Sequence, residues 1–161
     1  LRKQLEAFHG HIDPKAVDFA WPHLSEDDPY IRFAARVAIE WQPVATWQER
    51  ALAESEPNRA AIALIALCRC GDKSLQPRIV RKLNQLLDSS STHTALLPIL
   101  RGYELCFIRM GAPSSDVASQ IPKRRDLPEF AVPARDVSAA RISAFAEPGR
   151  EDDPASFDGD A

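Results

Sequence analysis

Through the first 111 positions, apolar residues recur every three or four places, the spacing of an amphipathic helix, and turn residues divide them into seven segments. The first, 1–9, begins in mid-pattern. Asp13-Pro14 opens the second, 14–24, with Asp as N-cap and Pro at the first helical position. Val17, Ala20, Trp21 and Leu24 form its apolar stripe, and Pro22 is expected to bend it. Asp28-Pro29 repeats the start device in "DDPYIRFAARVAIEW", where Ile31, Ala34, Ala35, Ala38 and Trp41 face inward. Asp28, Arg32, Arg36 and Glu40 fall every four residues on its outer side. After a turn at Pro43, segment 44–54 repeats the apolar spacing at Val44, Trp47 and Ala51.

Segment 57–70 contains "AAIALIALC" and is apolar nearly all round, so neighbours must cover it on several sides. Gly71 stops it, and Arg69 stands in its last turn, where a cation suits the carbonyl end. Segment 75–88 buries Ile79, Val80, Leu83, Leu86 and Leu87. Segment 95–110 places Leu96, Leu100, Tyr103, Phe107 and Met110 at spacings of four and three, and its "IRMG" ending echoes "CRCG". Strand signals are almost absent; the lone Asp158-Gly159 lies in the acidic end of the chain. The body is expected to be all-α.

Beyond Gly111 the pattern collapses. Residues 112–161 hold six of the 13 prolines and six Lys/Arg against ten Asp/Glu. Their apolar residues are scattered with no face long enough to bury, so disorder is the expected state. A short helix over 134–145 would have nothing evident to pack on. The expected division is therefore a helical domain, 1–111, and a Pro-rich acidic tail, 112–161.

The helices pair, and the second of each pair is the more apolar. "EDDPYIRFAARVAIEW" overlays "SEPNRAAIALIALCRCG" with Pro29 on Pro57, and a third inner helix follows "DKSLQPRIVRKLNQLL". Such hairpins cannot bury their apolar faces alone and stack into a continuous core. "DPYIRFAARVAIE" resembles the second helix of a HEAT repeat, with Asp28, Pro29, Ile31, Arg32, Ala34, Ala35 and Ala38 on the family's structural positions. The resemblance covers about residues 12–111, and is weakest in the third hairpin, where Pro98 and Gly102 interrupt the pattern. It implies an α-solenoid of about three hairpins, used for protein contacts or as a spacer. "WPHLSEDDPYIRFAARVAIE" and "YELCFIRMG" also resemble the HEAT region of large planctomycete-type envelope proteins that carry dehydrogenase or haem-binding regions and c-type cytochrome domains. That likeness implies a periplasmic or cell-envelope location and a redox protein whose cofactor domains lie outside this chain. The helical pattern of that family continues past "FIRMG", whereas here it stops.

Bulk properties narrow the choice. A chain of 161 residues, 45% hydrophobic and 27% charged, suits one ordinary domain with a core. A net charge of -3 gives no general pull toward nucleic acid, so no nucleic-acid partner is expected. The longest apolar run, 60–67, is far short of the roughly 20 residues of a membrane span. No signal-peptide pattern opens the chain and its first residue is Leu, so a piece of a longer reading frame is expected.

No complete catalytic, cofactor or metal set emerges. Haem attachment needs Cys-x-x-Cys-His, whereas "CRC" has one residue between its thiols. Cys68 and Cys70 point about 200° apart on an ideal helix, so Cys68, Cys70 and Cys106 read as packed thiols rather than ligands. His9 and His11 with Asp13 fall one feature short of a metal site. His23 and His93 have no adjacent nucleophile motif to activate. "EDDPASFDGD" lacks the oxygen-ligand spacing of a calcium loop, and "KRR" at 123–125 is a short basic cluster in acidic surroundings. Trp21, Trp41 and Trp47 are expected in the core.

What remains is surface. The row Asp28, Arg32, Arg36, Glu40 is a candidate partner face; as i,i+4 pairs, Asp28–Arg32 and Arg36–Glu40 would each add roughly 0.2–0.5 kcal/mol to the helix. Arg78, Arg81 and Lys82 form a second charged face. The expected function is a non-catalytic helical scaffold, without a cofactor, that binds a protein partner.

Overall fold

The computed structural model describes residues 1–89 and 93–121, and the side chains of all of these except 93–95. The described residues are mostly helical and contain no strand. In chain order the α-helices are α1 (Arg2–Glu6), α2 (Ala16–Ala20), α3 (Pro29–Glu40), α4 (Gln48–Ala53), α5 (Pro57–Cys70), α6 (Gln76–Ser89), α7 (His93–Met110) and α8 (Ser115–Ser119). Short 3-10 turns at Trp21–Ser25, Val44–Thr46 and Lys73–Leu75 lead out of α2 and into α4 and α6. All described residues belong to one unit, Leu1–Leu127.

The proline-marked starts of α3 and α5 are built as the sequence implies, and the one at Asp13-Pro14 is not. Asp28 accepts a hydrogen bond from the Tyr30 backbone N–H at 2.8 Å, with Pro29 at the first helical position of α3. Glu56 plays the same part for α5, accepting from the N–H groups of Asn58 (2.9 Å) and Arg59 (2.7 Å). Asp13 caps a turn rather than a helix, accepting from Lys15 N–H, and α2 begins only at Ala16. At Pro22 the bend takes the form of a change from α to 3-10 winding.

Helix α5 is the centre of the packing. Eight of its residues are buried, from Ala60 to Cys68, and it touches α3, α4, α6, α7 and the Trp21–Ser25 turn. Its all-round apolar sequence is thus covered on several sides, as such a helix requires. Helix α7 lies against it and runs unbroken through Pro98 and Gly102. Gly102 has a steric reason: a Cβ there would stand 2.8 Å from Leu83 Cδ2 of α6. At the end of α5, a Cβ on Gly71 would lie 2.6 Å from the Leu67 carbonyl oxygen.

Two buried glutamines tie chain ends together. Gln42 accepts from Asp13 N–H at 2.9 Å and donates to the carbonyls of His11 and Ala38, while its own carbonyl takes the Trp47 indole N–H. Gln76 donates to the Gly111 carbonyl at 2.8 Å, joining the start of α6 to the end of α7. Past the expected boundary at Gly111, residues 112–121 carry α8, whose Val117 is buried, and Asn84 Nδ2 donates to the Gln120 carbonyl. The expectations for 122–161, including the helix at 134–145, "KRR" and the acidic end, lie outside the described residues.

Several inward assignments need correction. Trp41, expected in the core, is 51% exposed because it is the C-cap residue, where α3 ends and its apolar stripe loses cover; Ile39 is the last buried residue of the helix. Ile31 and Val17 are half-buried, with Ala16 taking the inner position of α2. In α7 the inner set is Leu96, Ile99, Tyr103, Leu105, Cys106 and Met110, and Leu100 faces outward. Trp21 and Trp47 are buried as expected, and the Trp21 indole donates to Glu54 at 2.8 Å.

Candidate interaction face

Two hollows meet along α3 and α5. One, about 120 Å³, is lined by Ser25, Asp27, Arg32, Asn58, Ile62 and Pro98. The other, about 170 Å³, is lined by Pro29, Arg32, Phe33, Arg36 and Ile62. Shared walls at Arg32 and Ile62 make them one shallow groove, which Pro98 extends to α7. Its lining combines an exposed Phe33 and a half-buried Ile62 with the guanidinium groups of Arg32 and Arg36.

The local sequence explains this. An i,i+4 pair of arginines on α3 stands on one helix face, and Phe33 is its neighbour. Arg32 donates to the carbonyls of Glu26 and Asp27, so its hydrogen bonds are met by neutral groups. The Arg36 guanidinium lies 5.1 Å from the centre of the Phe33 ring, a cation–π distance. Arg36 also pairs with Glu40, which takes Arg69 of α5 at 2.8 Å. One carboxylate therefore links two helices of the face.

The expected row does not stand uniformly outward. Asp28 is exposed and occupied as a cap, and Arg32 turns to carbonyls rather than to Asp28. The Arg36 and Glu40 side chains are only 14% and 11% exposed, because α5 brings Arg69 against them. On α6, Arg78 makes a two-pronged ion pair with Glu49 of α4 at 2.7 and 2.8 Å. That contact holds the Glu49 carboxyl below its usual range. Arg81 is exposed and Lys82 half-buried. The groove joins Arg32 and Arg36; Arg78, Arg81 and Lys82 belong to a separate helix and do not line it. Sequence reasoning missed Phe33 and Ile62 as its apolar lining. Their signal is a large apolar residue just off the inward stripe.

A further cleft of about 290 Å³ lies between α2 and the Val44–Thr46 turn, lined by Ile12, Asp13, Pro14, Val17, Gln42, Pro43 and Thr46, with the Asp18–Arg50 ion pair at its edge. Its polar groups are already engaged: Asp13 and Gln42 by the chain itself, and Arg50 stacked over Trp21 at 4.4 Å.

The other chemistry-bearing residues serve the fold. His9 meets the Ala34 carbonyl at 2.9 Å, His11 is exposed, and Asp13 is used as a cap, so the three do not converge on a common point. His23 pairs with Glu26 at 2.9 Å. Cys68 and Cys106 are buried in contact across α5 and α7, and that contact together with burial pushes the Cys68 thiol far up. Cys70 is exposed, against the expectation of a packed thiol; partial desolvation raises its thiol pKa, with Glu40 adding to the rise. Among the described residues no group of three or more His, Cys, Asp or Glu is placed to hold a metal ion. None of the described helices is long and apolar enough to cross a membrane. Compared with protein-family models, with curated proteins and with solved structures, the chain matches none.

Proposed function

We propose that this chain is a non-catalytic, HEAT-like helical scaffold whose α3–α5 face receives a protein partner. Its hairpins stack as a short α-solenoid. The observation that carries the reading is the groove itself, where Phe33 and Ile62 stand beside Arg32 and Arg36. Arginine and aromatic residues beside small hollows are the groups that contribute most to protein interfaces. The repeated helix starts at Asp28-Pro29 and Glu56-Pro57 support the repeat, since each opens its helix with an acidic cap followed by proline.

The test is proximity labelling in the source cells, comparing the natural chain with the Phe33→Ser/Ile62→Ser variant. Far-UV circular dichroism and thermal melts check that the variant is folded. A scaffold acting through this face loses one or a few labelled proteins in the variant. An unchanged labelling pattern with a folded variant rejects the face as the contact surface.

A further inference from the structure

A different surface, on α7, carries an inference beyond the scaffold reading. Leu97, Arg101, Glu104 and Ile108 are spaced i, i+4, i+7, i+11, so they form one straight stripe on the helix. All four are exposed, Leu97 by 66% and Ile108 by 68%. The opposite side of α7 is the one buried on the core, through Ile99, Cys106 and Met110. Two large apolar residues thus stand in water with a charged pair between them, the Arg101 guanidinium 2.6 Å from Glu104.

The order along the stripe is apolar, positive, negative, apolar, and it reads as its own complement when reversed. If a second α7 crosses antiparallel with a two-fold axis midway between Arg101 and Glu104, then Leu97 meets the other copy's Ile108. In the same register Arg101 meets the other copy's Glu104. Each contact occurs twice, which is the property of an isologous interface. No other register of the stripe pairs both the charges and the apolar ends. We propose that this stripe is a self-association surface, and that its occupant is a second copy of the chain, docked antiparallel through α7.

The size of the surface sets its strength. The stripe spans about three helical turns, roughly 16 Å, which is less than a standard interface of about 800 Å² per partner provides for. Association is therefore weak and concentration-dependent, with charge complementarity fixing the register more than the affinity.

The test uses the full chain in sedimentation equilibrium over a concentration series reaching about 1 mM. Arg101→Glu alone and Glu104→Arg alone each place like charges across the axis, and each is expected to weaken self-association by about tenfold or more. The two single variants mixed in equal amounts restore the opposite-charge contacts in a heterodimer, and so does the double swap R101E/E104R in a homodimer. Leu97→Ser removes the apolar end contact and weakens association without changing the charge pattern. All these positions are exposed, and thermal melts confirm that the variants fold. A chain that stays monomeric throughout overturns the proposal. So does a dimer indifferent to the single charge reversals, or one that the mixture fails to rescue, since it would be using another surface.

Discussion

Helices α3 and α5 begin alike and end in different surroundings. Each has an acidic N-cap followed by proline, and each presents alanines to its neighbours. Yet α3 buries four residues, whereas α5 buries eight. The difference lies in what fills the other positions: Tyr30, Phe33 and Arg36 on α3, but an unbroken apolar run of alanine, leucine and isoleucine over 60–67 on α5. A shared start device therefore sets where a helix begins, and the composition of its remaining faces decides whether it becomes core or surface. In this chain the core helix provides the platform, and the surface helix provides the chemistry of the groove.

Truncating the core helix gives the largest expected effect. Leu64→Ala in α5 removes a fully buried side chain, and a loss of about 2–5 kcal/mol is expected in urea denaturation. A smaller loss would mean that α5 is less enclosed than its burial indicates. Next comes the buried amide at the end of α3. Gln42→Leu preserves volume but leaves the Asp13 N–H and the His11 carbonyl without their partner, an expected cost of about 1–3 kcal/mol by the same measurement.

The shared start device is tested directly by comparing two caps. Asp28→Ala and Glu56→Ala should each cost about 1 kcal/mol, and similar values would show that the device works equally on a surface and a core helix. Glu54, just before α5, adds a pH signature. Burial raises its carboxyl, but the N–H groups of Glu56 and Ser55 and the Trp21 indole outweigh that and hold it below its ordinary value of 4.5. Because the folded value is the lower one, its contribution is fully present above pH 4.5 and is lost as pH falls through the folded value. Glu54→Gln should flatten that acid limb in melts recorded across pH. Phe33→Ala, on the exposed side of α3, should change stability by no more than about 0.5 kcal/mol, so a binding defect in such a variant is attributable to the groove.

Much of the architecture was legible in the chain because its signals are local. Asp28-Pro29, Pro57 and Gly71 mark helix ends by backbone chemistry that needs no partner. The all-round apolar character of "AAIALIALC" likewise requires a central position wherever the helix goes. Tertiary outcomes were less legible. The periodic row Asp28, Arg32, Arg36, Glu40 reads as solvent-facing until α5 supplies Arg69 to Glu40. Trp41 belongs to the apolar stripe by spacing, but it lies where α3 ends and the stripe loses its cover. Gln42 looks like an ordinary polar residue between Trp41 and Pro43, and only the return of residues 11–13 makes it a buried clasp. Phe33 and Ile62 lie off the idealised inward stripes; it is the meeting of two helices that makes a groove between them.

Gly102 also bears on how this chain can change over generations. The side-chain methyl that glycine lacks is the space Leu83 occupies. A side chain at 102 requires the Leu83 methyl to shift or to be removed, whereas shrinking Leu83 first opens room that 102 can later fill. The two positions share one volume divided between two helices, so a change at 83 lowers the cost of a later change at 102.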